Sequence, residues 1–194
     1  MRRRTFLGGA SLAALAQAPL GVPVHRVFDK RCREATAPFR EKIWPEAVDT
    51  FARSGIILQG GEAEGEVGRA PSDRPVFHGL VRGAVNFVMT DVIPMRWDNG
   101  RGLAGVATVY EGYALCLLSL RRAHGHQIPF LSTNTCVHEL LHVLLHDIFE
   151  QRPKGFAGER REWRIDWYAT RLWLFRDATG VMEPARRYVQ SMDK

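Results

Sequence analysis

The sequence predicts a single α+β domain built on a mixed sheet, and three observations predict it. Thr135 to Phe149, TCVHELLHVLLHDIF, is apolar on several sides, as a helix through the middle of a small domain must be. Two runs, Ala84 to Ile93 and Gly105 to Leu118, are rich enough in β-branched and aromatic residues to read as buried strands. A second amphipathic run, EWRIDWYATRLWLF, follows the apolar helix and spaces Ile165, Ala169, Leu172 and Trp173 toward the core.

At the N-terminus, Arg2, Arg3 and Arg4 precede Phe6-Leu7 and a small-residue apolar stretch ending in Ala16-Gln17-Ala18. A charged start, a short apolar run and an A-x-A-like end describe an export signal over residues 1–18. The arginine pair with Phe6-Leu7 resembles the twin-arginine (Tat) type, which implies the Tat export machinery as a partner and a periplasmic or secreted protein. Leu7 to Leu20 is too short and too rich in Gly and Ala to span a bilayer comfortably, so no stable membrane span is expected after signal removal. Residues 19–194 then form one domain large enough for a real core. The formal charge of +6 falls to about +3 when the three signal arginines leave. The remaining arginines, such as Arg31 with Arg33 and Arg121 with Arg122, stand in separated pairs, so no nucleic-acid partner is expected.

Along the domain, Phe39, Ile43, Ala47, Val48 and Phe51 recur at helical spacing, with Pro45 at a start or kink and Gly55 as a stop. A strand over Gly55–Gln59 leads into a Gly/Glu stretch holding Glu62, Glu64 and Glu66, which reads as a flexible acidic loop. Gly105 to Leu118 reads as one long or bent strand with a bulge at Gly112. The C-terminal MEPARRYVQSMDK reads as a closing helix with Pro184 near its start. Cys32, Cys116 and Cys136 allow one disulfide in an oxidising compartment without choosing the pair, and Cys136 reads as core.

The chemistry concentrates in His138-Glu139-Leu140-Leu141-His142. Residues four apart share a helix face, so His138 and His142 can present two imidazoles to one metal ion. Glu139, about 100° round the helix, can reach a water on that ion. Ser132, Thr133, Asn134 and Thr135 offer N-cap oxygens ahead of the helix, and Pro153 with Gly155 marks its exit. A zinc site needs a third protein ligand. His146 lies about 12 Å along the axis from His138, and Asp147 fails similarly unless the helix breaks. Of the downstream carboxylates Glu159 and Glu162, Glu162 is favoured because Asp166 follows one turn behind it on the same face, where it can orient a ligating histidine.

His138-Glu139-x-x-His142 with Glu162-x-x-x-Asp166, followed by Trp167-Tyr168-Ala169, resembles the gluzincin metallopeptidases of the HtpX and CAAX-prenyl-protease type. Those relatives are integral membrane enzymes, and the spacing from His142 to Glu162 is short for them. Asp166-Trp167-Tyr168-Ala169 also resembles the second-helix motif of the ImmA/IrrE-like peptidases, with Arg164 where their glutamate is expected. The resemblance implies a zincin-like fold, in which the segment around Val106 to Leu115 is an edge strand packed on the central helix and the following helix carries the third ligand. It implies one zinc ion held by His138, His142 and Glu162, Glu139 as general base, and Asp166 as support for a ligand. An exposed strand edge can also bind any extended peptide through its main chain.

The expectation is an exported zinc-dependent peptidase acting on a peptide or protein substrate. Tyr168, His124, His126 and Arg171 are the candidate donors to a developing oxyanion. The alternatives are a non-catalytic zinc-binding periplasmic protein and a zinc hydrolase acting on a different carbonyl.

Overall fold

The computed structural model describes residues 18–32, 37–69, 75–90, 105–119, 133–145 and 156–192, without the side chains of residues 69, 75 and 156–159. It is a mixed α+β fold. Eight strands occur among these residues: β1 Leu20–Asp29, β2 Ile56–Gln59, β3 Glu62–Gly65, β4 Val67–Arg69, β5 Pro75–Phe77, β6 Val85–Thr90, β7 Gly105–Tyr110 and β8 Tyr113–Ser119. Four α-helices accompany them: α1 Trp44–Ala52, α2 Thr133–Leu144, α3 Phe156–Thr170 and α4 Met182–Met192.

The main sheet runs β2-β1-β6-β8-β7, with β3 also paired to β1. All its pairings are parallel except β7 with β8. Alternation along the strands divides the core, as the two-residue period requires. Val85, Phe87 and Met89 of β6 and Cys116 and Leu118 of β8 face the helices. Val88, Leu115 and Leu117 face the other way, onto Val67 and Phe77 of the β4–β5 hairpin.

Several expectations are corrected here. The strand β1 had no counterpart in the sequence reading: it follows directly on the apolar N-terminal stretch and contains Pro23, which argues against a central strand. Tertiary pairing with β2, β3 and β6 overrides that local signal. The acidic stretch is not a loop, because Arg26↔Glu62 to Asp29↔Gly65 pair in register and Arg26 reaches the Glu62 carboxylate at 3.3 Å. Gly60 makes the step from β2 to β3 beside β1: its φ is +150°, and any Cβ would strike the Val24 carbonyl. Gly112 is no bulge. Glu111 and Gly112 both have positive φ, 49° and 83°, which suits a tight hairpin turn and splits the long strand into β7 and β8.

Only β7, the first half of the Val106–Leu115 segment, is therefore an edge strand, while β8 lies inside the sheet. Among the described residues no strand pairs with the outer side of β7. Trp173 is also not inward. Arg171–Phe175 turn with π-helical bonding, which ends the α-helical register behind that expectation, and Leu172 takes the core position while Trp173 is 57% exposed. Helix α1 and the closing helix α4 occur where expected, and Pro45 sits in the first turn of α1. Among the described residues no helix is long and apolar enough to cross a membrane.

Candidate metal centre

Helix α2 lies on the helix-covered face of the sheet because Cys136, Val137, Leu140, Leu141, Val143 and Leu144 are buried together there. Burying Leu140, Leu141 and Leu144 is worth about 2 kcal/mol each, which offsets the cost of carrying Glu139 and His142 into the same interior. Its first residue, Thr133, donates its hydroxyl to Glu46 Oε2 at 2.5 Å and so ties the start of α2 to α1. Ser132 and the exit at Pro153 and Gly155 lie outside the described residues.

Helix α3 packs on α2 through Ile165 and Ala169, both fully buried. That packing turns the opposite edge of its inner face, Glu162 and Asp166, to the α2 histidines. His138 Nε2 lies 3.0 Å from His142 Nε2 and 3.2 Å from Glu162 Oε2, and His142 Nε2 lies 3.3 Å from the same oxygen. His138 Nδ1 meets Asp166 Oδ1 at 2.8 Å. With that nitrogen donating to Asp166, a neutral His138 presents a bare Nε2 lone pair to His142 and Glu162.

Lone pairs this close repel unless a proton or a cation sits among them. The distances also fit an ion: ligand atoms of a tetrahedral zinc shell, each about 2.0–2.1 Å from the metal, lie about 3.3 Å apart. His138, His142 and Glu162 thus form a closed triangle that can hold one metal ion. The buried His142 forms its floor, His138 is partly covered, and the half-exposed Glu162 and Asp166 form its open rim.

The charges are mutually supportive. Burial works against an imidazolium at His138, but its contact with Glu162 and the negative charges of Glu139 and Asp166 outweigh it and raise its pKa. The contacts with His138 and then His142 hold the Glu162 carboxyl well below the usual carboxylate range.

Glu139 is 6% exposed and turns to the first residue of β7. A Cβ built on Gly105 would come within 2.6 Å of Glu139 Oε1 and 2.9 Å of Cδ. Glycine is needed at 105 for space, and it seats the carboxylate where the edge strand begins. The sequence reading missed this residue. A glycine opening a buried strand was the available signal, since such glycines mark close approach. Gly105→Ala is therefore expected to destabilise the fold by about 1–3 kcal/mol, the cost of forcing extra volume into a packed interior. Thermal unfolding checks it, and unchanged stability would show that the Glu139 side chain moves out of this position without cost.

The other candidates are dispersed. Tyr168 is on the far side of α3 from Asp166, and its hydroxyl lies where a Cβ on Gly180 would meet it at 2.8 Å. Arg171 pairs with Asp177 and stacks 4.4 Å over Trp167. Neither joins the cluster, because i+2 and i+5 positions leave the face that Asp166 shares with Glu162. His124, His126, His146 and Asp147 lie outside the described residues, as does the side chain of Glu159.

All three cysteines are free and buried. The Cys116 thiol donates to the Glu139 carbonyl at 3.5 Å, linking β8 to the motif. Burial, reinforced by the Glu139 charge, pushes the Cys116 and Cys136 thiols up, and neither belongs to the His138, His142 and Glu162 cluster. Comparison of the chain with family models, with curated proteins and with solved structures finds no match.

Proposed function

We propose that the chain is an exported zinc-dependent peptidase with a zincin-like arrangement of edge strand, HExxH helix and ligand-bearing second helix. The observation that carries this reading is the triangle of His138 Nε2, His142 Nε2 and Glu162 Oε2, with sides of 3.0 to 3.3 Å. The likeness of its residues to the gluzincin pattern supports it further. Zinc held there supplies a Lewis acid and a bound water whose pKa falls toward neutrality.

The chain's own groups do the rest. Asp166 accepts the Nδ1 proton of His138 and so keeps Nε2 aimed at the centre. Glu139, desolvated against Gly105, takes the proton of the attacking water and returns it to the leaving amine. Strand β7, at one edge of the sheet among the described residues, starts beside that carboxylate, so an extended peptide paired along it would cross the site.

The test is bound zinc per chain on purified, metal-replete protein, together with cleavage of a diverse peptide library. About one zinc with cleavage is expected. Zinc without cleavage favours a non-catalytic zinc protein, cleavage confined to non-peptide carbonyls favours a different hydrolase, and no zinc overturns the metal reading. Asp166 is more than half exposed, so Asp166→Ala is expected to spare the fold and weaken zinc affinity about 10- to 100-fold. A competition titration with a chelating dye reads that change, and an unchanged affinity would remove Asp166 from the site.

A further inference from the structure

Among the described residues the exposed large apolar side chains are concentrated on one stretch. Five of the seven among the described residues, Trp163, Trp167, Trp173, Leu174 and Phe175, lie on α3 and the π-helical turn that follows it. They range from 52% to 70% exposed. Single exposed apolar groups are ordinary, but a run along one element marks a binding surface.

The ionic groups on this element are sorted by side. Arg160 and Arg164, both exposed, flank Trp163, and Arg171 is held over the Trp167 ring. Glu162 and Asp166 are turned to His138, and Asp177 is paired with Arg171. The outward side of α3 therefore combines the Trp163 and Trp167 rings with the exposed Arg160 and Arg164, and the exposed Trp173, Leu174 and Phe175 continue the apolar surface past its C-terminal end.

We propose that this face docks the protein on an anionic lipid bilayer, with α3 lying in the headgroup plane. Tryptophan and arginine together suit the interface, where the ring is half immersed and the cation meets phosphate. Two other occupants fit less well. A second copy meeting the same face two-fold would set Arg160 and Arg164 against their own kind. The chain's N-terminal stretch carries Arg2, Arg3 and Arg4, also of like charge. A convex helix lacks the groove that tracks a single nucleic-acid strand. Docking sets the His138 cluster beside the bilayer surface, because Glu162 and Asp166 immediately precede Trp163 and Trp167.

The inference does not rest on the zinc reading and is tested with and without chelator. The full chain is mixed with vesicles of phosphatidylglycerol and phosphatidylcholine, or of phosphatidylcholine alone, brominated on the acyl chains. Residues 1–18 contain no tryptophan, so bromine quenching reports contact by the folded domain. Strong quenching on the anionic vesicles and weak quenching on the neutral ones is expected. Removing Arg160 and Arg164 as alanines lowers partitioning about fivefold for each charge. Trp163→Ser with Trp167→Ser lowers vesicle pelleting at least about tenfold, with the helical circular dichroism unchanged.

Pelleting without quenching would mean that residues 1–18 make the contact, and equal quenching on both vesicles would remove the arginines from it. Either result overturns the proposal. So does binding of single-stranded oligonucleotide, or self-association lost in the tryptophan variant, in the absence of vesicle binding.

Discussion

Glu139→Gln is expected to keep about one zinc per chain and to lower kcat by about 10² to 10⁴, the range that a positioned general base supplies. The substitution is nearly isosteric, which matters here because the side chain is packed against Gly105 with no space to spare. The amide cannot take a proton from water, whereas the three atoms that could hold a metal belong to other side chains. Metal analysis and kinetics on the same sample separate the two consequences. Full activity in this variant would remove Glu139 from the proton transfer, and loss of zinc would show that the carboxylate supports the metal instead.

The second large effect is expected at the triangle itself. Glu162→Ala leaves two imidazoles without the carboxylate that both of them face, and His142→Ala removes a nitrogen from the buried floor. Each is expected to weaken zinc at least about a hundredfold, beyond what disturbing an orienting partner does, and to abolish turnover with it. The two differ in their effect on folding. Glu162 is half exposed, so its loss costs little stability, while His142 is 6% exposed and its removal opens a cavity under α2. Competition titration and thermal unfolding of both variants check this. Zinc retained at parental affinity by Glu162→Ala would send the third ligand to Glu159, Asp166 or His146.

What was legible in the sequence was local. The i, i+4 spacings of His138 with His142 and of Glu162 with Asp166 state which side chains share a helix face, and the structure joins these four residues in one cluster. Helical periodicity alone also yields α1 and the inward Ile165, Ala169 and Leu172, because 3.6-residue repetition is written within a few turns, and Pro184 marks the start of α4. The same argument fails at Trp173, where the π-helical turn changes the period.

Pairing between distant segments decided the rest. That β1 runs through the sheet despite Pro23, that the Glu62–Gly65 stretch is a strand, and that β8 lies inside the sheet while β7 stands at an edge among the described residues all depend on hydrogen bonds to partners far along the chain. The docking of α3 on α2 closes a triangle that neither helix contains alone. The clearance between Gly105 and Glu139 exists only where β7 meets α2. The sequence by itself determined which histidines and carboxylates share a face on each of two helices, because that is a property of one turn of backbone. Only the tertiary structure brought the two faces within 3.3 Å and seated the carboxylate at the strand edge, because long-range packing sets those distances.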